Sequence, residues 1–282
     1  MTVQYGPHRW SAGHHDDGTN DALRGATLQV KDLRETRFVD CDLTGARIVD
    51  GCLVDVDVSG YVAGLVVNGV DVTEYVETQL DLRHPERVQL RGVRDADGFR
   101  AMWHTVERLW AQTLTRADRL PATVRFERVQ GEWSLAETLR HLVFITDSWA
   151  SRTILDEESP FHRLALPQTA YAPDDAVALG MDLAARPTYD EVMAARSDRM
   201  AVVRGILDSL TDEDLARSCT RSPAPGYPEE ERAVFECLAV VMEEECEHHR
   251  FATRDLVVLE DRQSPKPIGN TSNDAAKGTA IR

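Results

Sequence analysis

Residues 235–259 read FECLAVVMEEECEHHRFATRDLVVL, and one stripe runs through them at helical spacing. Phe235, Leu238, Met242, Glu245, His249, Ala252, Leu256 and Leu259 follow one another by three or four residues, the spacing of a helix face turned toward its neighbours. The stripe is apolar except at Glu245 and His249. An ionised carboxylate in such a seam is strongly unfavourable unless it is paired, protonated or bound to a metal. A spacing of four puts both side chains on one face, a turn apart, and lets one helix offer two ligands to one ion. Glu244 and His248 form a rival pair about 100° around the helix, in line with Val241 and Phe251. A metal-free reading pairs Glu245 and His249 with each other or with an arginine. Glu243 and Glu247 are expected to face solvent.

Upstream, the same period marks three more helices. The first covers about 97–115 and carries Phe99, Met102, Trp103, Val106, Leu109 and Trp110 on one face. The second starts at Ser134, where S-L-A-E forms a capping box with Glu137, and runs past Trp149. The third starts at Thr188, where T-Y-D-E repeats the device with Glu191, and ends near Leu210. The last helix is expected over about 228–259. Together they predict an all-α four-helix bundle over residues 96–262. The second helix holds His141 among Leu139, Leu142, Val143, Phe144 and Ile145, so it is apolar nearly all round. A single histidine there is ordinarily a satisfied core residue. Glu245 and His249 on another helix make it the third member of a candidate metal set: His141, Glu245 and His249. His104 lies off the apolar stripe, and Cys237 reads as a small core residue.

Before the bundle the period is different. Leu23, Leu28, Leu33, Phe38, Leu43, Ile48, Leu53 and Val58 recur every fifth position, which fits neither helix nor strand. A fixed short period predicts a solenoid over residues 21–72. A short linking helix and the His84–Pro85 turn are expected over 73–95. Residues 1–20 read as a disordered arm and 263–282 as a disordered tail.

Net charge is −16 and no run of Lys and Arg breaks it, so nucleic acid is not an expected partner. No stretch reaches the ~18 apolar residues of a membrane span. The five cysteines form no C-x-x-C pair, which points to a reducing, cytoplasmic setting. There is no P-loop and no G-x-G-x-x-G.

Two resemblances extend this reading. ATLQV, CDLTG and ARIVD resemble the pentapeptide-repeat family, which implies a short right-handed quadrilateral β-helix of about two coils, serving as a docking or stabilising module. WSLAETLRHL together with ECEHHRFATRDL is similar to the DinB-like four-helix bundles. That resemblance implies a metal triad, with His141 from the second helix and His249, just before Arg250, from the last. Glu245 stands where the family commonly has a histidine; the mycothiol-dependent maleylpyruvate isomerase branch carries a carboxylate there. The implied cofactor is a divalent metal: Zn²⁺ foremost, with Ni²⁺, Fe²⁺ and Mn²⁺ open. The implied chemistry is thiol S-transfer or thiol-assisted isomerisation, with a mycothiol- or bacillithiol-type thiol and a small electrophile as partners. The alternative is a non-enzymatic interaction protein docking through its repeats, and a homodimer is compatible with either.

Overall fold

The first helix of the bundle begins where Asp95 caps it, its carboxylate accepting from the Gly98 amide at 2.7 Å. The structure, a computed structural model, describes residues 23–39, 41–169 and 171–263. The predicted arm, and the tail beyond residue 263, lie outside the described residues. In chain order the helices are α1 (Thr73–Arg83), α2 (Glu86–Gly92), α3 (Ala96–Ala117), α4 (Leu135–Ile145), α5 (Pro173–Ala178), α6 (Tyr189–Ser209) and α7 (Val234–Gln263). α4 continues without a break as a π-helical segment, Thr146–Ile154, in which the Leu155 amide reaches back five residues to the Ala150 carbonyl. Both capping boxes form as expected, at Ser134 with Glu137 and at Thr188 with Glu191. α7 starts later than residue 228. The chain before it pairs as a two-residue ladder, β3 (Ser218–Cys219) with β4 (Arg232–Ala233).

α7 is the central element. It packs against α3, α4, α2 and the π segment, while α6 packs against α4, α3 and the π segment. The core joins Phe99, Met102, Trp103 and Trp110 of α3 to Leu139, Leu142 and Phe144 of α4 and to Leu238, Val241 and Met242 of α7. Among the described residues no helix is long and apolar enough to cross a membrane.

The described residues of 21–72 do not form the expected β-helix. Among the described residues of that stretch the only strands are β1 (Val66–Val67) and β2 (Val70–Asp71), an antiparallel pair around Asn68–Gly69. Both turn residues have positive φ, at 50° and 83°, as a type I′ hairpin requires. The period of five survives as turns. Leu23, Leu33 and Leu43 each accept the amide three residues on. The third turn residue is left-handed each time: Gly25 at 70°, Glu35 at 63° and Gly45 at 76°. No strand ladder joins the segments between these turns. The repeated apolar residues stay open, from Leu33 at 48% exposed to Ile48 at 73%. A solenoid buries its column only between stacked coils, and here no such column is covered.

Candidate metal centre

His141 is held by the loop that follows the π segment. Its Nδ1–H donates to the Leu166 carbonyl at 2.9 Å, which fixes the tautomer and leaves the Nε2 lone pair facing inward. That Nε2 is buried and meets no hydrogen-bond donor. Arg140, the neighbouring residue, positions the same loop. Its Nε donates to the Leu164 carbonyl at 2.8 Å, and its own carbonyl accepts the Leu166 amide at 3.1 Å. Further along, Asp147 accepts the His162 amide at 2.8 Å and pairs with Arg199 at 2.6 Å. Burial pushes Asp147 up to about 6, against the pull of Arg199. Sequence reasoning found none of these supports, because a partner twenty-five residues away leaves no local pattern.

α7 presents Glu244 and His248 to His141. Glu244 Oε2 lies 3.1 Å from His248 Nε2 and 3.6 Å from His141 Nε2. One ligand atom from each of the three residues falls within 4.8 Å of the others. Donors arranged tetrahedrally around Zn²⁺ at its usual bond lengths stand about 3.3 Å apart, so this set fits such an ion. Trp133 covers the group, its ring 4.7 Å from that of His141 and 6.0 Å from that of His248. Phe251 stands 5.9 Å from His248 on the other side.

The cluster therefore forms on the rival pair, and the structure does not bring His141, Glu245 and His249 together. Of it, His141 alone joins the cluster. Glu245 is buried against α6, where Arg196 Nη2 donates to its two oxygens at 2.6 and 2.5 Å. Burial pushes the Glu245 carboxyl above the usual carboxylate range, against the pull of Arg196. This matches the metal-free alternative for that residue. His249 turns to α3, its Nε2 2.8 Å from Thr113 Oγ1 and its ring edge-on to Trp110 at 5.3 Å. The seam does face the bundle interior, but α7 has neighbours on several sides. A face 100° away is buried as well, and that face meets α4. Glu247 also departs from the solvated reading: it is buried and held by Arg87 at 2.6 Å and by Arg250 at 2.6 Å. Glu243 is half-buried, and burial together with Glu244 and Glu247 pushes it up to about 8.

Residues 105–252, more than half of the chain, match the family model of the DinB superfamily. The chain belongs to the DinB superfamily. No curated protein and no solved structure matches it. The DinB span contains His141, Glu244 and His248 together with their supports Arg140, Asp147 and Leu166. It does not extend to the period-five segment.

Proposed function

We propose that this DinB protein binds a divalent metal ion through His141, Glu244 and His248 and serves small-molecule thiol chemistry, S-transfer or thiol-assisted isomerisation. The observation that carries the metal reading is the bare, buried Nε2 of His141, oriented by Leu166 toward a carboxylate and a second imidazole. Two imidazoles and a carboxylate suit Zn²⁺, and Fe²⁺, Mn²⁺ and Ni²⁺ accept the same donors. A divalent cation there would supply the positive charge that keeps a thiol deprotonated near neutral pH. The residues contribute the rest. Leu166 makes the His141 ring a better donor, Glu244 brings the negative charge, and Trp133 shields the group from water. All five cysteines are free thiols, which suits a reducing cytoplasmic setting for the same reading.

The Trp133 cover favours a second reading, a metal or ligand carrier without turnover. A substrate approaching a thiol from the Trp133 side would have to displace that ring.

Metal content of protein purified without added metal tests the site. His141→Ala and His248→Ala are expected to lose the ion, whereas His249→Ala is expected to keep it. Equal metal in all three variants removes the assignment. Addition of a small thiol to the cobalt-loaded protein then separates the two readings. A new thiolate-to-cobalt absorption band supports thiol chemistry, and an unchanged spectrum supports the carrier.

A further inference from the structure

Two of the five cysteines meet inside the fold, away from the metal centre. Cys219 ends β3 and is buried, at 3% exposed, and Cys237 is fully buried in the first turn of α7. Backbone pairing brings them together. Cys219 lies opposite Arg232 in the β3–β4 ladder, and the Val234 amide that opens α7 donates to the Arg217 carbonyl at 3.0 Å. This sets the first turn of α7 beside β3, where the Cys237 thiol donates a hydrogen bond to the sulfur of Cys219. Both are free thiols.

A single buried cysteine packs as a small apolar side chain. Two in contact offer a nucleophile and a resolving partner, and the surroundings divide those roles. The hydrogen bond from Cys237 pulls the Cys219 thiol down to about 7, helped by Arg217 and opposed by burial and Asp156. Asp156 is itself held by Arg221 at 2.7 Å. The hydrogen bond it gives and its burial push the Cys237 thiol up, against the pull of Arg232. Cys219 is therefore the thiolate, and Cys237 keeps its proton. Ser218 and Thr220 on either side of Cys219 are exposed, and the ladder beside it is only two residues long. A local opening of that ladder reaches the sulfur and admits a small oxidant in preference to a bulky disulfide.

We propose that Cys219 and Cys237 are a redox modification site, a dithiol that a small peroxide converts to a disulfide tying β3 to the first turn of α7. The Cys219 thiolate attacks one peroxide oxygen, so that an S–O bond forms and the O–O bond breaks. The leaving hydroxide takes up a proton and departs as water, and Cys219 is left as the sulfenic acid. The Cys237 sulfur then attacks the sulfur of Cys219. The S–S bond forms, the S–O bond breaks, and the hydroxide leaves with the Cys237 proton as a second water. The dithiol loses two electrons and the peroxide gains them. A thiol reductant reverses the bond by exchange. Neither cysteine belongs to the His141 cluster, so the proposal stands whether or not that centre holds a metal.

The test treats the reduced full chain with hydrogen peroxide at pH 7. Samples are quenched in acid, alkylated in denaturant and digested without reductant for mass spectrometry. A peptide linking Cys219 to Cys237 should appear before the exposed Cys41 and Cys52 are oxidised, and dithiothreitol should abolish it. In Cys237→Ala, Cys219 should stop at the sulfenic acid and be trapped by dimedone. In Cys219→Ala, oxidation at Cys237 should slow by about tenfold or more. Circular dichroism checks that both variants keep their helices, and the parent chain carries the test should either fail to fold. The proposal is overturned if Cys41 and Cys52 are consumed before any linked peptide forms. It is overturned equally if Cys237 in a folded Cys219→Ala chain reacts as fast as the pair does in the parent.

Discussion

At the scale of single residues, Glu245 and Glu244 show how one step along a helix changes a carboxylate's part. Glu245 meets Arg196 in a pair whose side chains are 1% and 2% exposed, while Glu244 meets two imidazoles. Glu245→Gln should cost roughly 3–5 kcal/mol in urea denaturation, because it strands a buried guanidinium. Adding Arg196→Met to that variant should recover much of the loss, and no recovery would remove the pairing as the cause. Arg140 braces the loop that carries Leu166 and so supports the candidate metal centre without touching it. Arg140→Met should loosen the loop carrying Leu166 and weaken metal affinity by about 10- to 100-fold in a chelator competition, with helix content unchanged. Unaltered affinity would mean that the loop holds Leu166 without Arg140. Sequence reading reached His141 itself, since a histidine in an apolar helix is visible. The carbonyl that orients it was not, because any residue can supply a carbonyl.

At the scale of elements, the starts of the capped helices were readable, and the neighbour that each helix face meets was not. Ser134 and Thr188 announce their helices through local chemistry, a hydroxyl and a glutamate three residues apart. Which face of α7 meets His141 depends on which neighbour stands opposite, and no spacing within α7 encodes that. The π segment after α4 carries a pH dependence of its own through Asp147. Its carboxyl lies at about 6 in the fold against an ordinary 3.8. The folded state therefore keeps a proton that the unfolded chain gives up in that window. The stability this contributes is full below about pH 4 and is lost as pH rises through about 6. Asp147→Asn should flatten the slope, so that the parent chain loses roughly 2–3 kcal/mol relative to the variant between about pH 4 and pH 7. Parallel stability curves for the two proteins would show that Asp147 does not titrate in this way.

At the scale of the whole molecule, the bundle and the period-five segment differ in what they bury. The bundle encloses a continuous core, whereas Leu23, Leu28, Phe38 and Ile48 of the repeat are more than half exposed. Between that segment and the bundle, Arg37 pairs with Glu132 at 3.5 Å, both side chains about half exposed. Exposed pairs of this kind contribute about 0–1 kcal/mol. A chain starting at residue 65, which keeps β1, β2, α1 and α2, should therefore retain its thermal midpoint within a few degrees and its full metal content. A large drop in either would reveal a stabilising role for the repeats. By itself the sequence determined the four long helices, their caps, the buried His141 and the presence of two carboxylate–histidine pairs on α7, because all of these follow from local periodicity and capping chemistry. The tertiary structure alone decided that the period of five yields turns without a ladder and that Glu244 and His248 face His141. It also decided that Glu245 meets Arg196 and that His249 turns to Thr113 of α3. Each of those outcomes depends on what lies across from a side chain, and that is set by the packing of segments far apart in the chain.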